Sequence, residues 1–85
     1  MADTVRVLFF ATAREATGQR FVESPVSPQG IPVHQLLDEL GSRYPALEAI
    51  LRSSRIVLNG QYLTSLRGRV RPGDELAVHP PYSGG

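Results

Sequence analysis

The sequence contains no cysteine and no lysine. Without cysteine the chain cannot form disulfides, thiolate nucleophiles, iron–sulfur clusters or cysteine zinc sites. Without lysine it cannot form a Schiff base, supply the lysine of a phosphate-binding loop, or accept another protein on a side-chain amine. The sequence also lacks an apolar run near the length of about 18 residues that a membrane span needs, so we expect a soluble, cytoplasmic protein with no membrane partner.

The sequence also lacks an excess of charge of either sign. Nine arginines are set against eight acidic residues, which leaves a formal net charge of +1. This balance is not typical of a nucleic-acid-binding protein, so we expect no nucleic-acid partner. The 85 residues, 41% hydrophobic and 20% charged, are enough for one small core. We expect a single domain over residues 1–79 and an extended tail over residues 80–85.

The apolar periodicity predicts an α+β domain with one main helix. Period-two segments predict strands over residues 4–11, 19–26, 55–59, 61–63 and 75–79. A helical spacing of apolar residues predicts a short turn of helix at 12–18, the main helix from Pro32 to about residue 44, and a short helix at 46–51. This order predicts a mixed sheet packed on one face of the main helix, with the first and last strands adjacent at its centre.

The first strand has apolar residues on both of its faces. If Val5, Val7 and Phe9 point inward, Leu8 and Phe10 point outward, where large apolar side chains together suggest a binding surface. We therefore predict a partner-binding patch, with Arg14 as a polar anchor, although loops of this chain could instead cover it. The predicted patch comprises Leu8, Phe10, Tyr62, Ala77 and His79, with a rim of Arg6, Arg14 and the loop at 67–71.

Residues suited to catalysis or metal binding are sparse. No spacing pairs a hydroxyl nucleophile with His34 or His79 and an orienting carboxylate, and two distant histidines do not make a metal motif. We expect no metal site, a solvated His34 and a structural or interface role for His79. The three arginines between residues 67 and 71 could bind a phosphate, but a charged loop that protects a sheet edge explains them better.

The last six residues carry the strongest functional signal. Two prolines project them away from the domain, six extended residues reach about 20 Å, and two glycines fit a channel too narrow for side chains. A frayed end is the alternative interpretation. Because the carboxylate of Gly85 is the only reactive group delivered in this way, we predict that it is presented to another protein's active site. The tail comprises Pro80, Pro81, Tyr82, Ser83, Gly84 and Gly85.

Five segments spread over nearly the whole chain can be compared with a known family. They are Val5-Arg6-Val7-Leu8-Phe9-Phe10-Ala11, Ala13-Arg14-Glu15 with Gly18, Val57-Leu58-Asn59, Pro72-Gly73-Asp74-Glu75 and the tail. Together they resemble the ubiquitin-like sulfur carriers of the MoaD/ThiS family. Within the family, the Phe-Phe-Ala and Arg-Glu segments combined with the Pro-Pro…Gly-Gly ending favour the MoaD-type branch, the small subunits of molybdopterin synthase. One departure is His79, where similar carriers often have an apolar aromatic residue.

The resemblance implies a β-grasp fold and a mechanism. An E1-like adenylyltransferase would use ATP and Mg²⁺ to adenylate Gly85, and a persulfide donor would convert the adenylate to a thiocarboxylate. Inside a heterotetrameric molybdopterin synthase, the large subunit would then catalyse sulfur transfer to cyclic pyranopterin monophosphate. The chain itself would bind no cofactor and donate sulfur without being the catalytic subunit. The alternatives are a sulfur carrier for thiazole or cysteine synthesis, a modifier attached to proteins through Gly85, or a binding module whose tail is irrelevant.

Overall fold

The computed structural model describes residues 3–81, which form seven strands and three helices. In chain order these are β1 (Thr4–Phe9), α1 (Ala11–Thr17), β2 (Phe21–Pro25), β3 (Ile31–Pro32), α2 (Val33–Arg43), α3 (Pro45–Leu51), β4 (Arg55–Leu58), β5 (Gln61–Tyr62), β6 (Arg69–Val70) and β7 (Glu75–His79). Between residues 3 and 81, none of the helices combines the length and the apolar character needed to cross a membrane.

Five strands form a mixed sheet in the order β2-β1-β7-β4-β5. The first and last strands are adjacent at its centre, as predicted from the element order. They run parallel, with Val7 opposite Leu76 in the register. The neighbours β2 and β4 are antiparallel to β1 and β7 respectively. A second, two-stranded sheet pairs β3 with β6 and sets Ile31 opposite Val70.

The core lies between the five-stranded sheet and the helices. The inward-facing side chains of β1 are fully buried, as the period-two pattern predicted. The apolar stripe of α2 is buried against them, which is the expected result of apolar residues spaced by three and four positions. This mixed sheet packed across a main helix is the predicted β-grasp fold. The residues concerned are Val5, Val7, Phe9, Val33, Leu36, Leu37 and Leu40.

Two turns at one end of the sheet are joined through hydrogen bonds of Asn59. Asn59 and Gly60 both have positive φ, at 49° and 84°, as the Asn-Gly sequence predicts for a tight hairpin. The predicted Pro-Gly turn is also present, with Gly73 at φ 92° and a hydrogen bond of 3.0 Å from the Asp74 N–H to the Arg71 carbonyl. The Asn59 side-chain amide donates to the Asp74 carboxylate at 3.0 Å. Two of the matching segments therefore meet in space.

Several element boundaries differ from the prediction. The first strand ends at Phe9 because Ala11 takes a positive φ of 50° and turns the chain into α1. Pro32 precedes α2 instead of opening it, since it is extended and paired in β3. The loop predicted at 67–71 is wrong for Arg69 and Val70, which form β6.

Candidate functional site

Phe10 and His79 form a stacked aromatic pair on the outer side of the five-stranded sheet. Their ring centroids are 4.4 Å apart and their planes differ by 11°. The Phe10 N–H donates to the Val78 carbonyl at 3.3 Å, and the Phe10 carbonyl accepts from the Ala13 N–H at 3.0 Å. The backbone of Phe10 is thus fixed to β7 on one side and to α1 on the other. Ala11, the next residue, has a positive φ of 50°, an uncommon backbone conformation for a residue other than glycine.

A row of side chains continues this surface across four strands. In the register, Leu8 is opposite Ala77, Ala77 is opposite Val57, and Val57 is opposite Tyr62. Ala77 is buried within this row. The prediction that it belongs to the accessible surface is therefore wrong. We define the exposed face as Leu8, Phe10, Val57, Tyr62 and His79.

The exposed face is open to a partner at its two largest aromatic side chains. Phe10 is 42% exposed and Tyr62 is 60% exposed, while Leu8 is half-buried. The alternative interpretation, that loops of this chain cover Leu8 and Phe10, is therefore wrong for Phe10. Large apolar side chains grouped on one surface are typical of a protein-binding site.

Arg55 adds a positive charge to this face. It lies opposite His79 in the β4–β7 register, and its guanidinium is 5.6 Å from the centre of the Tyr62 ring. With Val57, Tyr62, His79 and Pro80 it lines a surface hollow of about 530 Å³. Sequence reasoning missed Arg55 and Val57 as site residues, although alternation in the 55–59 segment places both on one face.

The arginines predicted as the rim of the binding patch do not all lie beside the exposed face. Arg6 lies over the ring of Phe21 at 4.7 Å and pairs with Glu23 at 3.8 Å, on the β2 side of the sheet. Arg14 is exposed on α1, beside a separate shallow hollow that it shares with Glu15. The rim prediction is wrong for the loop at 67–71 because β6 pairs with β3 and not with the five-stranded sheet.

The two histidines lie in different parts of the structure. His34 is exposed on α2, as predicted for a solvated residue, and its ring is far in sequence and structure from the exposed face. Residues 3–81 contain no group of three or more His, Asp or Glu side chains placed to hold a metal ion. The side chains of the exposed face are aromatic and aliphatic, with Arg55 beside them, and this composition is typical of a protein-binding surface.

The predicted tail begins at the edge of the exposed face. Strand β7 ends at His79, and Pro80 follows directly and lines the hollow beside Arg55. Pro80 is half-buried and Pro81 is exposed. The remaining predicted tail residues, Tyr82, Ser83, Gly84 and Gly85, lie outside the described residues, and their roles stay predictions.

Comparisons with known proteins agree with the motifs. The model of the ThiS family matches residues 7–85. The chain is 40% identical over 81 residues to the molybdopterin synthase sulfur carrier subunit of Arabidopsis thaliana, covering 95% of this chain and 82% of that protein. It is 43% identical over 89 residues to the corresponding subunit of Anopheles gambiae, covering 98% and 96%.

A solved structure extends the likeness to three dimensions. The crystal structure of SAMP1 from Haloferax volcanii, a small archaeal modifier protein, has a TM-score of 0.84 and 31% sequence identity. The match covers 96% of this chain and 99% of that one. The fold, the motifs and the relatives agree over nearly the whole length, and this chain belongs to the ThiS family.

Proposed function

We propose that this chain is a sulfur carrier of molybdenum cofactor biosynthesis and acts as the small subunit of molybdopterin synthase in the cytoplasm. The observation that carries the proposal is its 40–43% identity, over 95% of its length or more, to proteins named as that carrier subunit. The fold supports the same role, because the exposed face lies where β7 ends and the tail begins.

The proposed chemistry takes place at Gly85. A carboxylate is ionised at neutral pH and is a poor electrophile, so it must first be activated. In an E1-like adenylyltransferase the carboxylate attacks ATP with Mg²⁺ bound, pyrophosphate leaves, and a glycyl adenylate forms. The terminal sulfur of a persulfide donor attacks the acyl carbon and AMP leaves. A thiol then reduces the resulting acyl disulfide, which leaves the thiocarboxylate on Gly85.

The second stage belongs to the large subunit of the synthase. In each transfer the thiocarboxylate sulfur bonds to a side-chain carbon of cyclic pyranopterin monophosphate and displaces the oxygen substituent of that carbon. Water then cleaves the acyl–sulfur bond and returns Gly85 as a carboxylate. Two such transfers build the dithiolene of molybdopterin. The family resemblance implies that the large subunit supplies the catalytic groups and the pterin contacts.

The exposed face is the proposed docking surface for both enzymes. Phe10 and Tyr62 supply large, partly exposed rings, and aromatic side chains often dominate the binding energy of an interface. Leu8 and His79 complete the apolar surface beside them, and Arg14 on α1 is the proposed polar anchor outside it. Docking there would direct Pro80, Pro81 and the residues after them toward the partner's active site.

A reconstituted reaction tests the proposal. The chain is incubated with the E1-like adenylyltransferase of its source organism, ATP, Mg²⁺ and a persulfide donor, and then with the large subunit and cyclic pyranopterin monophosphate. We expect a thiocarboxylate, then molybdopterin, and neither product from a chain with one residue appended after Gly85. Sulfur delivered only to thiazole or cysteine synthesis, or activity retained by the appended chain, would contradict the proposal.

Protein modification is the second candidate function, because SAMP1, a modifier by name, is 31% identical in sequence and has a TM-score of 0.84. A modifier would form an isopeptide bond between Gly85 and a lysine of a target protein. Capture of the tagged chain under denaturing conditions distinguishes the two functions. Lysine-linked conjugates that depend on Gly85 support modification, whereas free chain carrying a thiocarboxylate supports sulfur transfer.

A further inference from the structure

We propose that Arg55 and His79 form a recognition site for a carboxylate side chain, Asp or Glu, of the protein that receives the tail. This inference rests on the proposed function, because it assumes that a partner docks on the exposed face. The inference adds the chemical group, a carboxylate, that the partner must present to this face. An apolar surface alone would accept many partners, whereas a fixed positive charge beside the tail selects one with an acid at the matching position.

Charge is distributed unevenly over the outer side of the sheet. At the end away from the tail, the charges compensate one another: Arg6 pairs with Glu23 at 3.8 Å and lies opposite Glu75 in the β1–β7 register. At the end next to the tail, Arg55 and His79 lie opposite each other. Within residues 3–81, the only ion pair is that of Arg6, so Arg55 has no carboxylate partner there. The complementary charge would therefore come from another protein.

Both basic side chains are held in place by aromatic rings. The Arg55 guanidinium lies over Tyr62 at 5.6 Å, and the His79 ring is stacked on Phe10 at 4.4 Å. Stacking covers one face of the guanidinium and one face of the imidazole, and it leaves their N–H edges free to donate hydrogen bonds. Such donors are well suited to bind a carboxylate. Because the guanidinium and the imidazole are already oriented, less conformational entropy is lost when a partner binds.

The surroundings favour a protein carboxylate over a free anion. Val57, Tyr62 and Pro80 form the remaining walls of the hollow, and their carbon-rich surfaces suit an interface that excludes water around a charged pair. Pro80 in the wall also places the site next to the tail. A partner acid in this hollow would engage the carrier at the point where the tail leaves the fold.

The test measures affinity for the purified E1-like adenylyltransferase of the source organism by calorimetry, at low and high salt, with the full-length chain. We expect Arg55→Glu to weaken binding by about thirtyfold or more and Arg55→Gln by about fivefold to tenfold. Arg55→Lys keeps the charge but loses the planar fork of donors, so its loss of affinity is expected to be smaller than that of Arg55→Gln. Arg52→Glu is the matched control, since Arg52 is an exposed arginine that caps α3, away from the exposed face.

The outcomes separate this inference from the proposed function. If wild type acquires sulfur but Arg55→Glu binds as tightly as wild type, or weakens no more than Arg52→Glu, the recognition site is refuted and the sulfur-carrier function stands. If wild type acquires no sulfur, the proposed function fails and this inference fails with it. A melting temperature within a few degrees of wild type shows that a variant is folded. If Arg55→Glu is unstable, the affinity of Arg55→Gln is the deciding measurement.

Discussion

The ring of Phe10 lies parallel to that of His79, with centroids 4.4 Å apart, and so joins the β1–α1 junction to the last residue before the tail. Phe10 is also hydrogen-bonded through its backbone to β7 and α1. A stacked pair contributes about 0.5–1.5 kcal/mol beyond the apolar area it buries. A partner that docks on this pair therefore meets a rigid surface next to a tail whose first residue, Pro80, is already placed.

Replacing Phe10 with arginine should separate binding from folding. Because Phe10 is 42% exposed, we expect the Phe10→Arg chain to remain folded and lose about 1 kcal/mol with the ring stack. Its affinity for the activating enzyme should fall by roughly thirtyfold to a thousandfold if Phe10 is a central anchor. Thermal unfolding and calorimetric titration measure the two effects.

The matched control is Phe21→Arg, which makes the same change at a ring that is 43% exposed on β2. Phe21 lies under Arg6 and opposite Leu8 in the β1–β2 register, at the opposite edge of the sheet from Tyr62, so we expect a smaller loss of affinity than for Phe10→Arg. Equal affinity losses for the two variants would mean that binding does not centre on Phe10.

Gly30 should be the glycine least tolerant of substitution. It is buried with φ 79°, and a β-carbon there would overlap the Val70 carbonyl oxygen. Since Val70 is backbone-paired in the β3–β6 sheet, it cannot move without loss of that pairing. We expect Gly30→Ala to lower the free energy of unfolding by about 2–4 kcal/mol in urea titrations.

Gly60→Ala provides the comparison, because Gly60 also has positive φ, at 84°, but has open space around the β-carbon position. Its cost should be the backbone strain alone, about 1 kcal/mol. If Gly30→Ala is no less stable than Gly60→Ala, the close approach of Gly30 to Val70 does not affect the free energy of unfolding.

The hydroxyl of Ser24 is expected to destabilise the native state. Ser24 is 2% exposed, and its oxygen has no hydrogen-bond partner among the described residues. An unsatisfied buried polar group costs about 1–3 kcal/mol, so Ser24→Ala should raise the free energy of unfolding by up to about 1 kcal/mol. Ser54→Ala should do the opposite, because the Ser54 hydroxyl donates to the Ile50 carbonyl at 2.7 Å. Destabilisation by Ser24→Ala would reveal a hydrogen bond that Ser24 makes.

Removal of Gly84 and Gly85 should abolish sulfur transfer without unfolding the domain. All the buried core side chains of the described chain lie between Val5 and Val78, so the last two residues are not needed for the core. We expect the melting temperature to change by less than a few degrees, while sulfur acceptance is lost completely. A clear drop in melting temperature, or sulfur accepted by the shortened chain, would contradict this.

Local patterns in the sequence were sufficient for the core and the tight turns. Alternation over Val5, Val7 and Phe9 and the helical spacing in α2 each identified a buried face, because a side chain's direction follows directly from the period of its element. The Asn59–Gly60 turn was equally predictable, since few residues other than glycine and asparagine adopt two consecutive positive φ angles.

Pairing between distant segments was not predictable in the same way. Strands β3 and β6 have two residues each, too few for any periodicity. Their pairing is continued by a hydrogen bond of 2.8 Å from the Val33 N–H to the Gly68 carbonyl, between segments far apart in the sequence. The place of Arg55 beside His79 likewise depends on β4 pairing with β7. Alternation alone does not choose that neighbour, so the predicted rim included residues 67–71 and omitted Arg55.

Sulfur transfer through Gly85 is tested most directly by the intact mass of the chain after reaction with the E1-like adenylyltransferase, ATP, Mg²⁺ and a persulfide donor. We expect one oxygen to be replaced by sulfur and fragmentation to locate that sulfur at Gly85. The sulfur should be lost when the large subunit and cyclic pyranopterin monophosphate are added. An adenylate that never exchanges AMP for sulfur, or sulfur located at any other residue, would contradict sulfur transfer through Gly85.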